Sequence, residues 1–67
     1  MDIRIETEQE EDGRWLAEVI GLSGVMAYGN SAQQAMTKAE VLALRVLADR
    51  LEHDESHPES ISISLAA

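Results

Sequence analysis

Two histidines four residues apart, His53 and His57, bracket an aspartate, Asp54, and a metal site in this chain would have to use these three. A histidine pair at that spacing can share an ion when both project from one face of a continuous helix. Here His57 directly precedes Pro58, and the residue before a proline is pushed away from helical geometry. The three therefore read as solvated polar residues of a loop. The other chemistry on offer is carboxylate chemistry, since 13 of the residues are acidic. Glu6 and Glu18 could lie near each other on the outer face of a first hairpin. Acid–base or two-metal work needs partly buried acids with shifted pKa values in a cleft. On an open sheet face the same pair is two solvated charges that discourage sheet stacking. Nucleophilic catalysis has no cysteine to use. The serines are accounted for by a helix cap, a turn and the outer face of a last strand, with no histidine and oxyanion hole set beside any of them. The chain is expected to be no enzyme and to need no metal or cofactor.

The balance of 13 acidic against 5 basic residues gives a formal net charge of −8. Nucleic acid is held largely through phosphate neutralisation by Lys and Arg, so direct binding of DNA or RNA by this chain is not expected. A basic protein is the natural complement. The first residues lack the basic and apolar regions of a signal peptide, and no apolar run approaches the ~20 residues of a membrane span, so a cytoplasmic location is expected. Sixty-seven residues make one domain, and a domain this small buries a modest fraction of its surface. Without cysteines, the routes to stability are tight packing, partner binding or self-association.

The elements that would position these residues are marked by local signals. Ile3, Ile5 and Thr7 alternate with Asp2, Arg4, Glu6, Glu8 and Glu10, the period of a strand with one wet face. Asp12-Gly13 marks a hairpin turn. A second strand follows, with Trp15, Ala17 and Val19 on one face and Leu16, Glu18 and Ile20 on the other. Gly21-Leu22-Ser23-Gly24 is a turn, and Val25–Tyr28 is a short third strand that stops at Gly29. Trp15 reads as core; Tyr28 is either core or an interface anchor. Ser31 with Gln34 forms a capping box for a helix running to about Asp54. Its buried stripe is Ala32, Ala35, Met36, Ala39, Leu42, Ala43, Val46 and Leu47. Val41, Leu44, Ala48 and Leu51 form a second apolar row, which either widens the core stripe or meets another subunit. The polar stretch from His53 to Ser60 reads as the loop after the helix, and Ile61–Leu65 alternates as a fourth strand.

The order β-β-β-α-β predicts an α+β domain: a three-stranded antiparallel meander, one long helix, and a C-terminal strand parallel to strands one and three. A right-handed crossover beside strand one gives the sheet order 3-2-1-4, with pairing beside strand three as the alternative.

The stretch Asp12-Gly13-Arg14-Trp15-Leu16-Ala17-Glu18-Val19 resembles the second strand of HicB-like antitoxins, which opens on a Gly-x-aromatic-x-Ala motif. Leu22-Ser23-Gly24-Val25 is similar to the family's Leu-Pro-Gly turn. Gly29-Asn30-Ser31-x-x-Gln34-Ala35 is similar to its Gly-x-Thr/Ser-x-x-Glu-Ala helix start. The helix body from Ala43 to His53 and the alternation Ile61-Ser62-Ile63-Ser64-Leu65 continue the likeness over nearly the whole chain. Ile20 and Ser23 stand where prolines are usual. The helix-turn-helix or ribbon-helix-helix domain that full-length antitoxins of the family carry has no counterpart in these residues.

The resemblance implies a partial RNase H-like fold without the metal-binding acids of a nuclease. It also implies a partner, a HicA-like basic mRNA-cleaving toxin, neutralised by a non-catalytic module of a type II toxin–antitoxin system. The acids Glu6, Glu8 and Glu18 and the aromatic Tyr28 are then the candidate partner-binding residues. Val41, Leu44, Ala48 and Leu51 are the candidates for self-association into a homodimer or higher homo-oligomer. The alternative function is a solitary, oligomeric HicB-like domain in some other protein–protein interaction.

Overall fold

The computed structural model describes residues 2–54 and 61–65. Strand β1 (Asp2–Gln9), β2 (Trp15–Ile20) and β3 (Met26–Gly29) form an antiparallel meander, helix α1 (Ala32–Asp54) follows, and β4 (Ser62–Leu65) closes the sheet. The sheet order is β3-β2-β1-β4, with β4 parallel to β1. The crossover through the helix thus returns beside strand one rather than strand three. Strands β3 and β4 are each displaced or trimmed by one residue relative to the alternation. The helix ends at Asp54, where the sequence places its end, and so takes in His53 and Asp54, which the polar composition had assigned to the following loop. His57 and Pro58 lie outside the described residues.

Each connection has a local cause. At the first hairpin Gly13 donates its N–H to the Glu10 carbonyl at 3.0 Å and Glu10 donates to Arg14 at 2.7 Å. Gly13 sits at φ 91°, so this is a three-residue loop in which a left-handed glycine lets the strands return in register. Asp12 braces it: one carboxylate oxygen accepts the Arg14 backbone N–H at 3.1 Å and the other accepts Arg14 Nε at 2.8 Å. The backbone hydrogen bond first, and the side-chain one second, hold the Asp12 carboxyl below its ordinary value.

The helix start is set by Ser31, whose Oγ accepts the Gln34 N–H at 3.1 Å. The reciprocal arm of the capping box lands one residue early, with Gln34 Oε1 accepting the Asn30 N–H at 2.6 Å. Gly29 is buried against this turn. A Cβ there would stand 2.5 Å from the backbone nitrogen of Ala35 and 2.9 Å from its Cα, so glycine is required by space rather than by dihedral angle.

The core is a sandwich of unequal halves. Ile3, Ile5, Ala17 and Val19 project from the sheet, and Ala35, Ala39 and Ala43 meet them from the helix, all at most 4% exposed. Alanines every fourth residue lie along one line of the helix surface, and their small size brings the helix axis close to the strands. Leu47 and Leu22, at 4% and 2% exposed, close the core. Trp15, Val25, Ala27, Met36, Val46, Ile61 and Ile63 pack around it, half-buried. Two assignments differ from the sequence reading. Leu22 belongs to the core although it sits between turn glycines. Leu42 is 39% exposed, because it lies ~100° around the helix from Ala43, toward β3. There a strand of four residues presents only Ala27 inward and cannot cover it.

Beyond Leu47 every helical residue with a described side chain is exposed. The helix is ~35 Å long at 1.5 Å per residue and its last turns project past the sheet. The molecule reaches 43 Å along its longest axis and 17 by 16 Å across.

Candidate functional site

The face of the sheet turned away from the helix is open, and its residues follow from the register. Glu6 stands directly opposite Glu18, Glu8 opposite Leu16, and Arg4 opposite Ile20. Across β2 and β3, Leu16 faces Tyr28 and Glu18 faces Met26. Glu6, Glu8 and Glu18 are all exposed, on the side opposite Ile3, Ile5, Ala17 and Val19, where the alternation places them. The three acids occupy one strip along β1 and β2. Arg4 Nε approaches Glu6 at 2.9 Å, with both side chains about half exposed, so one of the three charges is partly offset.

Like charges directly opposite on neighbouring strands are unfavourable. The Glu6–Glu18 pair therefore costs the isolated domain a little stability and leaves an unsatisfied negative strip. Among the described residues, no three His, Cys, Asp or Glu side chains come together in a way that could hold a metal ion. His53 is committed locally, its Nδ1 lying 2.9 Å from the Asp49 carbonyl and 3.2 Å from Asp49 Oδ1.

Tyr28, 42% exposed, ends the outer face at the β3 side, with the Arg14 guanidinium over its ring at 4.5 Å. Arg14 thus links the Asp12 turn to an aromatic on an edge strand, a diagonal cross-strand contact of the cation–π type. Trp15 is half-buried against the core, as its strand face predicts. The second helical row is also placed: Val41 is 43%, Leu44 50% and Leu51 42% exposed, and Ala48 is exposed as well. These four are not part of the core.

One surface was not visible from the strand and helix patterns. Met26, Ala27 and Tyr28 of β3 and Thr37, Lys38, Val41 and Leu42 of the helix line an open apolar groove of about 560 Å³ along the β3 edge. The signal that would have found it is the exposure of Leu42, which depends on how far the helix overhangs β3. Among the described residues, no helix is long and apolar enough to cross a membrane. No family model, curated protein or solved structure matches this chain.

Proposed function

We propose that this chain is a non-catalytic binding module that captures a small basic protein, and that its partner is an mRNA-cleaving toxin of the HicA kind. The observation that carries the reading is the acidic strip, in which Glu6 and Glu18 oppose each other in register with Glu8 two residues along. A basic surface laid over the strip relieves that repulsion and is steered toward it by a net charge of −8. Such complementarity acts mainly on the rate of encounter. The order β-β-β-α-β, the Asp-Gly turn and the capped helix supply the framework that the HicB-like resemblance implies, and the same resemblance supplies the choice of toxin. A module of this kind acts in the cytoplasm, where such a toxin meets mRNA.

The test begins with a short basic reading frame next to the gene. Its product is co-expressed with this chain, and copurification and relief of growth arrest are measured. Association of the two purified proteins is then followed by stopped flow. Reversing Glu6, Glu8 and Glu18 to lysine is expected to slow association, with the loss shrinking as salt screens the charges. A triple variant that folds normally and associates at an unchanged rate in low salt would place the interface elsewhere. A basic neighbour that the chain neither binds nor neutralises would leave the toxin reading without its object. The exposed row Val41, Leu44, Ala48 and Leu51 favours the second reading, a self-associating domain engaged in another protein–protein interaction.

A further inference from the structure

Strand β3 is an edge of the sheet, and its hydrogen-bonding pattern determines what it offers outward. Val19 donates its N–H to the Val25 carbonyl at 2.9 Å, so Val25 and Val19 are a hydrogen-bonded pair. In an antiparallel ladder such pairs alternate with non-bonded ones. Continuing the register, Ala27 with Ala17 and Gly29 with Trp15 are bonded pairs, whereas Met26 with Glu18 and Tyr28 with Leu16 are not. The main-chain N–H and C=O groups of Met26 and Tyr28 therefore point away from the sheet. An edge of this sort normally carries a charge or a proline that blocks further pairing. The segment Met26-Ala27-Tyr28-Gly29 has neither.

We propose that the β3 edge pairs with the β3 edge of a second copy of this chain, antiparallel about a two-fold axis through Ala27. The pattern is self-complementary. Met26 of each copy meets Tyr28 of the other, and the two outward residues exchange both N–H···O bonds at each of two symmetric positions. Ala27 falls on the axis as a non-bonded pair, where strands approach most closely and a small side chain fits. An axis perpendicular to the sheet leaves both helices on one side, so the Val41 and Leu42 flanks of the two grooves close over the joined strands. On the outer face Met26 and Tyr28, 44% and 42% exposed, become cross-strand neighbours, while Val41 and Leu42, 43% and 39% exposed, approach their counterparts on the helix side. The second helical row offers only side chains, and no main-chain groups, to a partner.

Charge favours the same arrangement. The cations nearest this edge are Lys38, in the groove, and Arg14, over Tyr28, while Glu6 and Glu8 lie two strands away on β1. In the joined eight-stranded sheet the acids of the strip nearest the seam are the two Glu18 side chains, beside β3, whose β2 strands are three spacings apart, roughly 14 Å at ~4.8 Å per strand. That exceeds the ~8–10 Å screening length in ordinary buffer, so two copies of a strongly acidic chain meet without stacking their acids. The acidic strips remain open on the face opposite the helices, which makes the dimer independent of the toxin reading. Two four-residue edges make a small contact, and small interfaces hold weakly, so the association is concentration-dependent.

The experiment combines sedimentation velocity with amide hydrogen exchange on the full chain. Dimer is expected to form as concentration rises, and exchange at the Met26 and Tyr28 amides to slow in step with it. The Ala27 amide, already bonded within the sheet, is expected to be slow throughout. Met26→Pro removes an outward donor that the monomer does not use, and edge strands tolerate proline there. Losing one such bond in each half is expected to weaken dimerisation at least about tenfold, while Leu44→Glu leaves it intact. A chain that stays monomeric overturns the proposal. So does a dimer whose Met26 and Tyr28 amides exchange freely, or one that Leu44→Glu dissociates and Met26→Pro does not. The exchange measurement on the unsubstituted chain decides the matter even where the proline variant fails to fold.

Discussion

Changing Glu18 to lysine is expected to stabilise the isolated chain, while the same substitution works against capture of a basic partner. Glu18 and Glu6 form a hydrogen-bonded cross-strand pair, since Glu10 and Arg14 bond at the hairpin and every second pair beyond them repeats that geometry, with Cα atoms ~5.5 Å apart. Two unit charges at about that separation in water repel by roughly 0.8 kcal/mol. The 2.9 Å contact from Arg4 to Glu6 and dissolved salt reduce this, and the side chains can splay. Replacing repulsion by attraction then gives a gain of roughly 0.5–1 kcal/mol, inside the range measured for exposed cross-strand pairs. In a domain this small that is a rise in Tm of roughly 4–7 °C. Urea unfolding of both forms is followed at dilute protein, in about 10 mM and about 1 M salt, where the screening length falls from ~30 to ~3 Å. The gain is expected in low salt and should largely vanish in high salt. A Glu18→Lys chain no more stable than its parent in low salt, or one whose gain survives high salt unchanged, would show that the two carboxylates do not confront each other.

Other substitutions probe the frame. Gly29→Ala is expected to cost about 2–3 kcal/mol, since the new methyl cannot be accommodated 2.5 Å from the Ala35 nitrogen without moving the helix start; a loss under about 0.5 kcal/mol by urea unfolding would contradict that packing. Leu22→Ala, at a 2% exposed position, is expected to cost about 2–4 kcal/mol as a cavity opens, and a near-neutral result would return Leu22 to the surface. Asp12 has a folded pKa below its ordinary 3.8, so the bracing of the hairpin is fully present above that value. It is lost as pH falls through the lowered folded value. Asp12→Asn is expected to remove this part of the acid dependence, seen as a flatter stability curve at low pH; an unchanged curve would mean the carboxylate braces nothing.

The strands, the helix and their order were readable from sequence because each depends on a signal a few residues long: the alternation in β1 and β2, the Asp12-Gly13 turn, the Ser31 cap. Once the hairpin turn was in hand, the outward direction of Glu6, Glu8 and Glu18 followed from period two. The features that escaped all depend on where the helix lies over the sheet. Leu22 looked like turn punctuation, yet it is buried in the core cluster together with Leu47. Leu42 lay within the apolar stripe, yet falls off the short β3 side. The groove at the β3 edge exists because those same few ångströms of overhang are left uncovered. The need for glycine at position 29 is likewise a matter of approach between strand and helix, which no local pattern records.

The line of alanines under the helix makes the domain's tolerance to mutation one-sided. Ala35, Ala39 and Ala43 have almost nothing to lose by truncation, so substitutions there act only by adding bulk and lifting the helix off the strands. Vacancies, in contrast, arise on the sheet side, at Leu22 and Leu47, and to a lesser degree at the half-buried Met36 and Val46. A designer seeking a more stable version would gain little by enlarging the alanines singly. The productive route is paired exchange, in which a larger residue on the helix is matched by a smaller one at Ile3, Ile5 or Val19, with the total volume held constant.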